Sequence, residues 1–235
     1  MAESDERSPS GAPILRHTAS APSDDVAHAD DERITNHLSG VLGGESMVFH
    51  ELVSDRVHID VHMFAPTSER QSFVLATSGM SARAMTMPAG FEQPEQWCFG
   101  ELMMILPPTW KLAQRDFDDE RNYWPVRLLK MLARLPHEYA TWLGWGHTIP
   151  NGDPARPYAP GTELCGAMVI PPFAFGRELF EVPGEPIVHV FQVLPLTAAE
   201  MDFKLRSGVD ALLERMEAAD DEIYGPLDAT RRSLV

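Results

Sequence analysis

The chain has 235 residues, 44% of them hydrophobic, and a formal net charge of −16 from 19 Lys and Arg against 35 Asp and Glu. That fits one large globular domain or two small ones, and with no basic stripe to neutralise phosphates it argues against a nucleic-acid partner. Cys98 and Cys165, the two cysteines, exclude a disulfide scaffold and a four-cysteine zinc site.

These cysteines read as buried thiols in a reducing compartment. No apolar run reaches the roughly 18 residues of a membrane span, and the N-terminus lacks an apolar signal core. A cytoplasmic protein with no membrane partner is expected.

Residues 1–22 are rich in Ser, Pro, Ala and charge and are expected to form a disordered arm. Ser23 is placed to cap a helix over 24–41, with Val26, Ile34, Leu38 and Val41 as its thin apolar stripe and Gly43 and Gly44 as its stop. Met47–Val53 reads as a short strand. Over 57–64, Val57, Ile59, Val61 and Met63 alternate with His58, Asp60 and His62, which predicts a half-buried strand with one wet face. Phe73–Thr77 is a third strand, followed by a tight turn at Ser78–Ser81. Cys98–Leu106 is a fourth, ended by Pro107 and Pro108.

A helix is predicted from near Tyr123, with Pro125 in its first turn and Pro136 closing it. Trp124, Leu128, Met131, Leu132 and Leu135 mark its buried face, and Arg127, Lys130 and Arg134 its wet one. Two further strands follow at about 165–170 and 186–194. Thr197 and Glu200 form a capping box that opens a helix to about residue 218, with the stripe Met201, Leu205, Val209, Leu212, Leu213 and Met216. Gly208 within it reads as a point of close packing. The acidic segment from Asp220 is expected to be loose. The expected organisation is therefore an arm over 1–22, one domain over 23–218 and an acidic tail over 219–235. Strands in a run, then a helix, strands and a helix argue for an α+β domain with helices packed on one sheet.

Residues 141–152, TWLGWGHTIPNG, are the most informative stretch. A loop with Trp142, Trp145 and His147 among glycines is either folded onto the body or shaped to hold a ligand. The second candidate is His58-x-Asp60-x-His62. Alternate Cα atoms on a strand lie about 6.7 Å apart and the outer pair about 13 Å, so at most two of the three can share one ion. A third ligand such as Glu51, Glu101 or His147 would have to come from elsewhere. A polar sheet face without a metal is the expected outcome. The third is Ser78-Gly79-Met80-Ser81, a turn whose N–H groups suit an anion; it lacks the flanking glycines of a nucleophile elbow. His137-Glu138 lacks the spacing of a zinc protease helix, and Trp110 reads as a core anchor.

The blocks VFHELVSDRVHIDVHMFAP, TSGMS, GELMMILPPTW, YWPVRLLKMLARLPHEYATWLGWGHTIPNG and LPLTAAEMDFKLRSGVDALL resemble, in this order over residues 34–217, the suppressor of fused family in its bacterial single-domain form. The piece from Tyr123 to Gly152 is the most specific. The resemblance implies a single α+β domain on a curved mixed or antiparallel sheet. Animal relatives add a C-terminal domain and grip a peptide of Gli-type transcription factors as an added strand. That second domain is not expected here, so their role does not carry over. Bacterial relatives resemble immunity proteins of contact-dependent toxin systems. The resemblance brings no catalytic set.

The expected function is thus a non-enzymatic module that sequesters a partner polypeptide, in an immunity or antitoxin role. Asp60, His62, Ser78, Met80, Trp142, Trp145 and His147 are its expected partner-binding residues, and no cofactor is expected. Acidity supports this reading, because oppositely charged surfaces associate faster. The alternatives are a metal-dependent hydrolase using Asp60, His62 and His147, for which no base–nucleophile pair is visible, and a small-molecule binding module.

Overall fold

The alternating and apolar runs assemble into one sheet. The structure is a computed structural model and describes residues 6–17, 20, 31–44, 46–50 and 57–235. In chain order come α1 (Asp31–Leu42), β1 (Ser46–Phe49), β2 (Asp60–Phe64), β3 (Phe73–Ser78), α2 (Pro94–Trp97), β4 (Gly100–Leu106), α3 (Glu120–Glu138), β5 (Thr148–Pro150), β6 (Leu164–Ile170), α4 (Gly176–Phe180), β7 (Glu181–Val182), β8 (Val188–Thr197), α5 (Ala198–Ser207) and α6 (Val209–Ala219). The sheet runs β1-β2-β3-β4-β8-β6-β5, with β7 also pairing β8. Its pairings are antiparallel except β4 with β8, which is parallel. This is the expected α+β domain on a mixed sheet.

Helices cover both faces. On one face α3 lays Trp124, Leu128, Leu129 and Leu132 over Val61, Leu75, Leu102, Ala167 and Val193. On the other, α1 and α4 supply Ile34, Leu38 and Leu179 against Phe64, Val74, Met103 and Val190. Further along that second face, α5 and α6 cover Met168, Ile170, Leu194 and Leu196 with Met201, Leu212 and Met216. Buried apolar area of this kind stabilises by about 25 cal/mol per Å². Two-sided cover corrects the half-buried strand expected over 57–64: Asp60 and His62 are buried as well as Val61 and Phe64. Alternation reports the pleat, and it does not report what packs on the polar side.

α3 starts three residues before Tyr123 because Asp119 caps it, its side chain accepting from the Arg121 N–H. It runs through Pro136 to Glu138, so Pro136 lies inside the helix rather than closing it. The expected long last helix is broken at Gly208, where φ is +92°. A Cβ at Gly208 would meet nothing within 4 Å, so backbone conformation and not close packing asks for glycine there. The fourth expected strand begins two residues late, since Cys98 caps α2 instead. Ser23 and Val26, which the sequence places at the start of the first helix, and residues 51–53 of the first predicted strand lie outside the described residues.

Both ends make contacts. Ser10 N–H donates to the Leu205 carbonyl at 3.0 Å. The segment after α6, expected to be loose, is packed: Ile223 and Leu227 are buried, and Leu227 N–H donates to the Ile105 carbonyl at 2.9 Å. Arg231 donates to both Glu200 oxygens and to the Pro195 carbonyl. The net acidity of the segment hides two apolar anchors and one buried ion pair.

Candidate functional site

Two regions hold the residues that the sequence singles out. The first is the turn after β3. Gly79 has φ +113°, and a Cβ there would run into the His58 carbonyl, so only glycine fits. The turn does bind an anion, and that anion is the protein's own Glu101. Its carboxylate accepts from Gly79 N–H at 3.0 Å, Ser81 N–H at 2.9 Å, Ser81 Oγ at 2.6 Å and Thr77 Oγ1 at 2.6 Å. Complete burial pushes the Glu101 pKa up, and these hydrogen bonds work against that shift. The sequence offers Glu101 only as a third metal ligand. A lone carboxylate inside the apolar run of β4 is the signal for such an internal partner.

Ser78 and Met80 belong to this interior. Met80 is fully buried, with its carbonyl 2.8 Å from His137 Nε2. Ser78 Oγ lies 2.9 Å from His62 Nε2, within a closed region. Asp60 faces a different way out: its Oδ2 is 2.8 Å from His50 Nδ1 and its Oδ1 3.0 Å from His58 Nε2. His58 and Asp60 thus converge as the spacing suggested, His62 does not join them, and His50 does.

The second region is the loop before β5. Gly146 N–H donates to the Val169 carbonyl at 2.8 Å, and Val169 N–H to the His147 carbonyl at 2.9 Å. These bonds continue the β5–β6 ladder back into the loop and fix its path. Trp142 turns inward, edge-on to Phe91 at 5.0 Å and to His147 at 4.2 Å. Burial, with the charge of Lys204 adding, pushes the His147 pKa down to about 4, so the ring is neutral near pH 7. Trp145 turns outward and is 51% exposed. It stacks edge-on with Phe173 at 6.0 Å, itself 43% exposed, and Phe173 meets Tyr224 at 4.8 Å. The exposed Asp221 and Glu222 precede Tyr224 in the chain. Phe173 and Tyr224 carried no periodic signal, because each sits in an irregular connection.

The loop and β2 do not form one site. β3, β4, β8 and β6 stand between β2 and β5 in the sheet, about five strand spacings or 24 Å along it. Asp60, His62 and His147 therefore do not assemble as a hydrolase would need. A cleft of about 230 Å³ lies under residues 220–231 against Met104 and Gln192, below the roughly 300 Å³ at which small-molecule pockets begin. Among the described residues no helix is long and apolar enough to cross a membrane.

A mixed sheet wrapped on both faces by helices, with a glycine–tryptophan loop leading into its edge strand, defines a class of fold. The model of the family described as suppressor of fused protein (SUFU) matches residues 55–232. The chain belongs to the suppressor of fused family. Its fold is similar to that of a suppressor of fused homolog from Neisseria gonorrhoeae, with a TM-score of 0.63 and 21% identity over 87% of this chain and 96% of that one. A chain of the Sufu–Fu complex gives a TM-score of 0.59 and 14% identity over 88% of this chain and 93% of that one. Drosophila Suppressor of Fused gives 0.61 and 14% over 88% of this chain but 52% of its own, so the present chain spans about half of the fly protein. At these identities the likeness is one of fold. No curated protein matches the sequence.

Proposed function

We propose that this protein binds a segment of another polypeptide without turning it over, as an immunity- or antitoxin-type protein. The observation that carries the reading is the exposed Trp145–Phe173 pair beside β5, the last strand of the sheet. Among the described residues no strand pairs the outer side of β5. An unpaired edge offers backbone hydrogen bonds to an added strand, and a neighbouring aromatic supplies a side-chain anchor. Exposed aromatics of this size are the commonest binding hot spots, each worth roughly 2–4 kcal/mol when buried by a partner. A relative solved as a Sufu–Fu complex supports a polypeptide partner. The net charge of −16 favours a basic one, as a nucleic-acid-cutting toxin would be.

Of the seven residues expected to meet the partner, Trp145 is the contact residue in this reading. Trp142 and His147 hold the loop from behind, His62, Ser78 and Met80 keep the interior closed, and Asp60 is engaged by His50 and His58. The test is a pull-down from the source cells followed by titration of the purified partner. Trp145→Ala should weaken binding by 30-fold or more, roughly the 2 kcal/mol of an exposed anchor, with the parent's fold retained. Unchanged affinity removes the loop from the interface, and turnover of the partner overturns the binding-only reading.

A further inference from the structure

The strand spacing of His58, Asp60 and His62 allows only two of them to serve one ion, and the fold selects which two. His62 is turned to Ser78. His58 and Asp60 are joined by His50, which stands just past the end of β1 and across from the start of β2. One ligand atom from each of the three lies within 4.8 Å of the others. The geometry points to a surface site for a zinc-like divalent transition cation, held by His50 Nδ1, His58 Nε2 and a carboxylate oxygen of Asp60.

The donor set carries the argument. Two imidazoles and one carboxylate suit first-row transition cations. A tetrahedral ion with bonds of about 2.0–2.1 Å keeps its ligand atoms about 3.3 Å apart. The carboxylate already stands 2.8 Å from His50 Nδ1 and 3.0 Å from His58 Nε2. These contacts are made by the two different oxygens of Asp60, so an ion held by one oxygen displaces these contacts and draws in the imidazole that faces the other, from a starting spread of at most 4.8 Å. His50, with its side chain 70% exposed, can turn to close the third edge, while Asp60 is held in β2. Lys130 feels the charge of Asp60, and its ammonium is tied to the Phe49 carbonyl at 3.1 Å. The ion would fasten the end of the edge strand β1 to β2. This site stands apart from the β5 edge and does not depend on the binding reading above.

The experiment is calorimetric titration of the full chain, stripped with a chelator, with Zn²⁺ alone, followed by thermal melts with and without Zn²⁺. One ion per chain is expected, with a melting midpoint that rises with Zn²⁺ concentration. His50→Ala and His58→Ala should each weaken binding at least tenfold, and the exposed His17→Ala should leave it unchanged. Co²⁺ in place of Zn²⁺ should give visible bands of nitrogen and oxygen ligation without thiolate charge transfer. No saturable binding, equal binding by the parent and His50→Ala, or thiolate bands would each overturn the site. His50 is exposed enough that its variant keeps the fold, so the outcome does not hang on His58→Ala.

Discussion

The turn around Glu101 and the loop around Trp145 are built from similar materials and end in opposite places. Both are glycine-bearing connections beside a strand, and each carries polar and large side chains. In the first, four donors close on one carboxylate and nothing is left for a partner. In the second, Trp142 takes the inward position and Trp145 is left outside, 51% exposed. The difference lies in neighbours distant in sequence. β4 delivers Glu101 under the turn after β3, whereas the Trp145 ring, half exposed, lies against Phe173 and the aromatic row beyond it. A ligand-shaped loop is therefore not by itself a ligand site; it becomes one when the chain does not supply its own occupant.

The contrast can be broken most sharply at Glu101. Glu101→Ala leaves four donors without an acceptor, two of them fully buried, and should cost roughly 3–5 kcal/mol in denaturant unfolding. Glu101→Gln keeps one acceptor oxygen and should recover part of that loss. A Glu101→Ala variant as stable as the parent would mean that the turn is held by something else.

A smaller effect is expected at His147. Its folded pKa of about 4 lies below the ordinary 6.5, so the unfolded chain binds more protons between those values. Stability is then fully present above about pH 6.5 and falls as pH drops towards 4. At about 1.4 kcal/mol per unit, discounted for partial exposure, this is about 2 kcal/mol. His137 and His189, whose pKa values burial also lowers, add in the same direction. His147→Gln should flatten the stability–pH curve over that window relative to the parent, and an unchanged slope would place the acid sensitivity elsewhere.

The smallest effect belongs to Trp145. Trp145→Ala should move stability by no more than about 0.5 kcal/mol, as exposed positions do, while weakening partner binding as described above. A loss near that of Glu101→Ala would show that Trp145 is structural and that the two regions are alike after all.

Much of this architecture is legible in the residues. The stripe Trp124, Leu128 and Leu132 placed α3 on the sheet, Thr197 and Glu200 formed the capping box they spell, and the family resemblance identified the fold. What was not legible depends on long-range company. The alternation in 57–64 does not say that α1 covers the polar side. The acidity of residues 220–231 masks Ile223, Leu227 and Arg231, which find their partners only once β4 and α5 are in place. His50 could not be tied to His58 and Asp60 because their meeting depends on how β1 pairs with β2. Phe173 and Tyr224 join Trp145 from two connections that have no period to read.

The parallel pair at the centre of the sheet has a consequence for how the protein is made. β8 is flanked by β4 and β6, yet Gly100 of β4 waits for His189 of β8, and β6 also precedes its partner in the chain. At about 5–20 residues per second on the ribosome, the stretch from the end of β4 to the end of β8 takes roughly 5–20 s to synthesise. Throughout that interval the nascent chain carries β4 with an open inner edge, and in its last third β6 adds a second, the kind of surface that chaperones cover and that aggregates when they do not. A substitution that weakens β8 would therefore lower the yield of soluble protein in cells by more than its effect on the finished fold.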